Sequence, residues 1–295
     1  NGIDVKVGKM VSLIGYEAIE SVANWQFSRS DAFRISPWTQ TGVTLGYKWN
    51  DTVTTTVGVV NGAEDSVAGL GSGNLNTELG FVGRVDVTGP KTSFGDFNAF
   101  VAGMYDNDNV LVNGVPAVNQ TLNDANNYLL NIGGTWAKPF GAKSLALGID
   151  WLYRYSEAQA NAFAFNQATQ FVPLDASVLS AYGKWDWAKW TSTSGRFSWS
   201  QYNNNMAQNG VGQNMTLSPL VLNPAAANYT KNNDLYSFTL TQAFNVWKDT
   251  LVRLEWRHDW TDSGQAAGFG QGVGVLTNDI RQDQDTIAVN VVYSF

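Results

Sequence analysis

The chain has 295 residues, of which 44% are hydrophobic, 13% aromatic and only 15% charged, and its formal net charge is −7. Soluble proteins carry about 25% charged residues, so part of this surface is predicted to face something other than water. The negative charge argues against a nucleic-acid partner, and the absence of cysteine excludes disulfides, thiolate nucleophiles and cysteine-based metal centres. No stretch approaches the ~18 consecutive apolar residues of a membrane helix, so only a closed barrel could cross a bilayer.

Twelve segments alternate between apolar and polar residues, and most have about the 9–11 residues of a tilted membrane strand. In chain order, strands are predicted at 3–11, 41–50, 52–61, 77–88, 96–106, 127–137, 144–156, 176–188, 194–203, 234–247, 250–261 and 284–295. Short connections alternate with long ones, which cover 12–40, 62–76, 107–126, 157–175, 204–233 and 262–283. In outer-membrane barrels the short turns are periplasmic and the long loops are outside. We therefore predict an all-β, antiparallel, up-and-down transmembrane barrel of about 12 strands.

Charged residues occupy one face of several of these strands. In 250–261, Leu254 and Trp256 alternate with Arg253, Glu255 and Arg257. An arginine facing lipid near the bilayer midplane would cost roughly 2–4 kcal/mol, so the charged face is predicted to be the lumen. The predicted pore-lining residues are Arg84, Asp86, Asp150, Arg154, Lys184, Asp186, Arg196, Arg253, Glu255, Arg257 and Asp259. They would create a transverse field across the pore, or, in the alternative interpretation, they only pair with one another.

Four tryptophans each lie where the apolar face of a strand runs into a short turn. They are Trp49, Trp136, Trp187 and Trp247. Amphipathic rings favour the headgroup level of a membrane, so four at the same height indicate an aromatic girdle rather than ordinary packing. A second belt near the long loops is predicted to contain Tyr105, Tyr128, Tyr155, Tyr236 and Trp260.

The last predicted strand ends in an aromatic residue, Phe295, preceded on the same face by Val291 and Tyr293. An edge strand of a soluble β-sandwich could show the same pattern. In outer-membrane barrels, however, such an end resembles the signal read by the barrel-assembly machinery. Phe295 is therefore the candidate assembly signal.

Several short stretches near the start of the chain resemble one family. Gly2–Lys9 (GIDVKVGK), Ile14–Glu17 (IGYE), Phe27–Ser30 (FSRS) and Thr39–Val43 (TQTGV) resemble the β-barrel porin-2 family of outer-membrane proteins, with Gln40 where histidine is expected. The resemblance implies the outer membrane of a Gram-negative bacterium, with the lipid bilayer and lipopolysaccharide as surroundings and a homo-oligomer as one form of assembly. Family members carry further sequence upstream, so residues 1–295 are expected to form one barrel domain that lacks N-terminal strands of an intact barrel of about 16 strands.

The connection 12–40 is the candidate for a constriction folded into the lumen, because a loop of this length is usually functional or disordered. Its candidate constriction residues are Tyr16, Glu17, Glu20, Arg29 and Arg34. The alternative is that this loop caps the barrel from outside.

A polar lumen entered from loops rich in Asn, Gln and Gly predicts a water-filled diffusion pore for small hydrophilic solutes, with carbohydrates as one suggested class. The alternative is a structural barrel whose pore is plugged and which anchors or scaffolds a partner protein. The single histidine, His258, is predicted on the lipid face, which argues against a histidine-based triad or metal cluster. We therefore expect no enzymatic activity, no metal, no cofactor and no nucleic-acid partner.

Overall fold

The computed structural model describes residues 2–62, 79–108, 111–112, 115–116, 125–160, 171–203, 220–222, 233–261, 267–269 and 283–294. Within these ranges, twelve long strands form one antiparallel sheet, and only short helical turns accompany it. Phe295, the candidate assembly signal, lies outside the described residues.

The strands of the sheet follow one another in chain order. They are β1 (Ile3–Val11), β2 (Thr39–Lys48), β3 (Val53–Val60), β4 (Gly80–Thr88), β5 (Asp96–Asp108), β6 (Ala125–Ala137), β7 (Leu145–Ala160), β8 (Phe171–Ala188), β9 (Thr191–Asn203), β10 (Asn233–Trp247), β11 (Thr250–Thr261) and β12 (Asp283–Tyr293). Each strand pairs antiparallel with its neighbours in the sequence, and β1 and β12 are the two outermost strands.

Shorter elements accompany the sheet. One short helix, α1 (Asp31–Ile35), and a 3₁₀ turn (Ser21–Ala23) lie between β1 and β2, and a second 3₁₀ turn (Pro139–Gly141) joins β6 to β7. Two small ladders pair 111–112 with 115–116 and 220–222 with 267–269.

All twelve predicted strands are present, so the predicted all-β, up-and-down barrel architecture is confirmed. The largest difference is in β8, which begins at Phe171 rather than at residue 176 because its pairing with β7 continues to Phe171 opposite Ala160. This extension contains Pro173, which has no N–H to donate. The register is irregular between Val172 and Leu174, where such a residue is tolerated.

The two sides of the sheet have opposite chemistry. The outward side is apolar and exposed, and it includes Leu45, Val57, Phe81, Val101, Ile149, Leu254 and Val289. In β11, Arg253, Glu255 and Arg257 are buried on the inward side, while the residues between them are exposed. An exposed apolar surface of this kind is favourable in the hydrocarbon core of a bilayer and unfavourable in water. In the part of the chain that the structure describes, no helix is long and apolar enough to cross a membrane.

The four girdle tryptophans all lie within one residue of a strand end at a short turn. The indole N–H of Trp49 donates to Thr55 Oγ1 at 2.9 Å, and that of Trp187 donates to Thr193 Oγ1 at 2.8 Å. These bonds satisfy the polar edge of each ring and leave its apolar faces available to lipid.

At the long-loop ends, rings of the second belt contact one another across neighbouring strands. The ring centroids of Tyr105 and Tyr128 are 5.2 Å apart, those of Tyr128 and Tyr155 are 6.1 Å apart, and those of Tyr236 and Trp260 are 5.5 Å apart. The geometry is that of two aromatic rows separated by an apolar band.

The alternation of faces predicts opposite accessibility for neighbouring positions of β3. Thr56 lies opposite the inward Arg84, whereas Val57 is exposed on the outward side. In lipid vesicles, a charged thiol reagent that does not cross membranes should label a Thr56→Cys variant far faster than a Val57→Cys variant, because acyl chains cover the second position. Equal labelling rates, measured by mass spectrometry, would contradict the assignment of faces.

Candidate functional site

The segment between β1 and β2, residues 12–38, folds against the inward side of the sheet, and we call it the inner loop. A hydrogen bond of 3.0 Å from the Ser12 N–H to the Trp38 carbonyl closes its base. Within the loop, Asn24 Oδ1 accepts from the Ala18 N–H at 2.9 Å, and Asn24 Nδ2 donates to the Ala18 carbonyl at 2.9 Å. Such bonds replace part of the backbone ladder that an irregular segment lacks.

A small apolar cluster anchors the inner loop to the inward side of the sheet, which we call the wall. In α1, which Ser30 caps by accepting from the Phe33 N–H at 3.3 Å, Ala32 and Ile35 are three residues apart and share one face. Together with Ile14 they belong to the same buried cluster as wall residues Val82, Phe100, Met104, Leu129, Leu152, Val178 and Leu235. Full burial of one large apolar side chain stabilises a structure by roughly 1.5–3 kcal/mol.

Glu17 lies at the centre of a buried polar network between the inner loop and the wall. Its Oε1 accepts from Arg196 Nη1 at 2.9 Å and from the Tyr182 hydroxyl at 3.3 Å. Its Oε2 accepts from the Ser30 N–H at 2.9 Å, and Arg196 also donates to the Ser28 carbonyl at 2.8 Å. A buried ion pair is favourable only when the remaining donors and acceptors are satisfied. The Glu17 carboxylate therefore joins two parts of the loop to β8 and β9.

Arg253 of β11 binds a stretch of loop backbone. Its Nη1 donates to the carbonyls of Ser21 and Asn24 at 3.1 and 3.0 Å, and its Nη2 donates to Asn290 Oδ1 on β12 at 2.8 Å. A guanidinium group carries five donors in a rigid, planar fork, which suits several acceptors at once. This side chain connects two strands to the 3₁₀ turn of the inner loop.

The next two inward residues of β11 continue the pattern with alternating polarity. The Glu255 carboxylate accepts from the N–H groups of Phe27 and Ser28 at 2.6 and 2.9 Å. Arg257 Nη1 then donates to the Arg29 carbonyl at 2.7 Å. The Arg-x-Glu-x-Arg sequence of β11 thus matches carbonyl, amide and carbonyl groups along the loop.

Two further arginines hold the ends of the inner loop. Arg84 Nη1 donates to the Leu13 carbonyl at 3.0 Å, and Arg154 Nη1 donates to the Ile35 carbonyl at 3.0 Å. The Arg84 guanidinium carbon also lies 3.8 Å from the centre of the Phe100 ring, a cation–π contact.

Tyr16 packs against the wall at a place where a glycine leaves room. Its hydroxyl lies 3.0 Å from Thr135 Oγ1, and its ring centroid lies 4.8 Å from that of Tyr182. A Cβ at Gly148 would collide with the Tyr16 hydroxyl. Burial raises the pKa of Tyr16, which keeps the hydroxyl protonated.

The structure separates the predicted pore-lining charges into two groups. The first is buried beneath the inner loop and consists of Asp150, Arg154, Arg196, Arg253, Glu255, Arg257 and Asp259. The second is partly exposed and forms two ion pairs, Arg84–Asp86 at 2.8 Å and Lys184–Asp186 at 2.9 Å. Contacts with the loop and with neighbouring side chains, rather than open water, surround the first group.

The five candidate constriction residues all belong to the inner loop, but they face different ways. Tyr16 and Glu17 contact the wall as described above. Glu20 is exposed, and Arg29 and Arg34 are partly exposed. Burial lowers the pKa of Arg29, which nevertheless remains a cation at physiological pH.

Neutral polar residues also take part in the site, and the sequence did not single them out. Asn131 Oδ1 accepts from the Gly15 N–H at 2.8 Å, and the Ser200 hydroxyl donates to Asp31 Oδ2 at 2.9 Å. Both wall residues share a face with inward charges, so alternation alone could have placed them in the lumen. Alternation does not predict, however, that these two residues contact the inner loop.

If Arg253 holds the inner loop, an Arg253→Met variant should lower the free energy of unfolding by about 1–3 kcal/mol, because buried carbonyls lose their donor. Urea titration of the protein in lipid vesicles measures this change. The matched control is Lys48→Met, which removes an exposed ion pair with Asp51 and should cost roughly 0–1 kcal/mol. Equal losses in the two variants would contradict a structural role for Arg253.

Comparison with known proteins agrees with this architecture. The outer-membrane channel DcaP of Acinetobacter baumannii is similar in fold, with a TM-score of 0.62 at 10% identity over 99% of this chain and 72% of that chain. OmpT, an outer-membrane protein of Vibrio cholerae, is similar with a TM-score of 0.54 at 12% identity over 99% of this chain and 77% of that chain. At such identities the likeness concerns the fold alone.

No curated protein sequence matches the chain significantly. The model of one protein family, described as beta-barrel porin-2, OmpL-like, matches residues 1–295, and this confirms the resemblance seen in the N-terminal motifs. Together with the barrel architecture, this match places the protein in the bacterial outer membrane. The chain belongs to the beta-barrel porin-2 family of outer-membrane proteins.

Proposed function

We propose that the protein forms a water-filled pore through which small hydrophilic solutes diffuse passively, and that the inner loop is its constriction. The observation that carries this proposal is the position of the loop: it crosses the inward side of the sheet and is held there by Arg84, Arg154, Arg196, Arg253 and Arg257. A loop held in the lumen narrows a pore without closing it when charged wall residues beside it keep contact with water.

Carbohydrates are a suitable solute class within this proposal. On the inner loop, the rings of Phe33 and Trp38 stack at 5.2 Å, and the Arg29 guanidinium carbon lies 5.0 Å from the Phe33 ring centre. Flat aromatic faces beside charged donors can bind the apolar face and the hydroxyl groups of a sugar at the same time.

A catalytic role is not part of this proposal. His258, the single histidine, lies on the outward side between Trp256 and Trp260, with ring centroids 6.2 and 5.3 Å away. Its Nδ1 is 3.1 Å from Asp285 Oδ1. A base in this position faces the membrane belt rather than the lumen, so it cannot activate a nucleophile there.

A second candidate function is a plugged barrel that anchors or scaffolds a partner protein. The buried cluster that joins Ile14, Ala32 and Ile35 to the wall favours it, because such packing would also suit a permanent plug. Lipopolysaccharide around the outward side, recognition by the barrel-assembly machinery and assembly into homo-oligomers are compatible with either function.

Conductance in planar bilayers separates the pore from the plug. The purified protein should give stable open steps, and shortening residues 18–34 should raise the conductance of each step because it removes the middle of the inner loop. An exposed substitution in the same loop, Val22→Ser, should leave the conductance unchanged and serves as the control. A silent native protein whose shortened variant conducts would support the plug.

Phe295 is proposed to act during assembly rather than in the finished barrel. Loss of one aromatic side chain removes too little buried area, at about 25 cal/mol per Å², to unfold a barrel. A Phe295→Ala variant should therefore reach the membrane in much smaller amounts, while the assembled fraction unfolds like the native protein. Normal amounts of protease-resistant, heat-modifiable barrel in cells would contradict this role.

A further inference from the structure

We propose that solutes pass on the side of the lumen lined by β1–β3, with Asp86 of β4 at its edge, and that two ion pairs, Arg84–Asp86 and Lys184–Asp186, set the ion preference of the pore. This inference rests on the proposed pore function. It adds which inward charges a permeating solute meets and which it does not.

The exposure of the inward charges carries this assignment. The side chains of Arg84 and Asp86 are 21% and 41% exposed, and those of Lys184 and Asp186 are 30% and 50% exposed. On β1, the side chains of the Lys6–Asp4 pair are 66% and 67% exposed, so this pair presents both signs equally and adds little net preference. By contrast, the side chain of Arg196 is 0% exposed. Only an accessible charge can exchange its water for a passing ion, so the buried arginines are positioning residues of the loop.

The buried charges are also compensated by near neighbours. Arg196 pairs with Glu17 at 2.9 Å, and Arg257 lies 2.7 Å from Asp259 and 3.7 Å from Asp31. Opposite charges this close cancel most of their field at a distance of several ångströms. Little of the predicted transverse field can therefore come from this group.

The contacts of the inner loop leave one side of the wall for the passage. The hydrogen bonds described above join the loop to β4, β6, β7, β8, β9 and β11. On the inward face of β2 and β3, the partly exposed positions include Gly46, Thr54 and Thr56, whereas Gln40, Thr44 and Val60 are buried. Small side chains leave room, and hydroxyl groups can replace part of the hydration of a polar solute.

The two accessible pairs mark successive points of this passage. Asp86 lies opposite Thr54 of β3, so it belongs to the hydroxyl-lined side. Lys184 and Asp186 lie in the last residues of β8, next to a short turn and hence at the periplasmic mouth. In each pair the carboxylate is more exposed than its cationic partner, so the geometry favours a weak preference for cations.

Reversal potentials in a salt gradient test this assignment. Asp86→Asn and Asp186→Asn should each lower the cation-to-anion permeability ratio about two- to fivefold, because one unit charge roughly 8–15 Å from an ion in water attracts the cation and repels the anion. Lys184→Met should shift the ratio in the opposite direction. All three shifts should become small near 1 M salt, where the Debye length falls to about 3 Å.

Asp259→Asn is the matched variant for the buried group. In the part of the chain that the structure describes, Asp259 contacts Arg257 and Gln284 of the sheet rather than the inner loop. The variant removes a full charge from the same wall, and it should leave the reversal potential unchanged even if it lowers stability. An unchanged permeability ratio in the two carboxylate variants, or an equal shift in Asp259→Asn, would overturn the inference.

A labelling experiment that does not depend on conduction completes the test. A soluble, charged thiol reagent should modify Asp86→Cys and Asp186→Cys variants at least tenfold faster than a Ser198→Cys variant, whose position is inward but fully buried. Equal rates at the three positions would refute the division into accessible and buried charges. A silent protein with the expected labelling order would contradict the proposed pore but support this division.

Discussion

The structure depends on the match between inward guanidinium groups and the carbonyl groups of the inner loop. An irregular segment inside a barrel cannot satisfy its own backbone, and a buried guanidinium group cannot remain without acceptors. The guanidinium groups donate the hydrogen bonds that the loop carbonyls need: Arg253 donates to the carbonyls of Ser21 and Asn24, and Arg154 donates to the carbonyl of Ile35. Removing either component would leave unsatisfied polar groups on both sides, so the loop and the charged wall form one cooperative unit.

Because some inward charges hold the loop, a charged lumen does not imply that every charge acts directly on solutes. Charges that line an open pore act on solutes through their field, whereas charges that hold a loop act on solutes only through the loop's position. In this protein the inward face of the sheet contains both kinds: a side chain such as Arg196 is enclosed beneath the inner loop, whereas a side chain such as Asp86 remains exposed. In the proposed pore, one part of the wall would therefore position the constriction, and the other would be available to solutes.

Most of the fold could be predicted because a barrel strand repeats a simple physical rule. Lipid on one side and polar groups on the other impose a period of two, and the twelve strands were found from that period. Beyond the membrane, lipid no longer imposes alternation on a strand. The start of β8, from Phe171 through Pro173, lacks alternation, and the pattern therefore did not predict it. There, pairing with β7 rather than side-chain environment decides where the strand begins.

By itself, the sequence determined the class of the fold and predicted the face of each charge and the positions of the aromatic belts, because these follow from local alternation and from the length of each connection. It indicated that residues 12–40 could fold inward, but the alternative of an external cap stayed open. Only the tertiary structure decided that Glu17 pairs with Arg196, that Glu255 binds the backbone of Phe27 and that the Lys184–Asp186 pair stays accessible. These contacts join residues more than 150 positions apart or depend on what lies above a side chain, and a period of two contains no information about either.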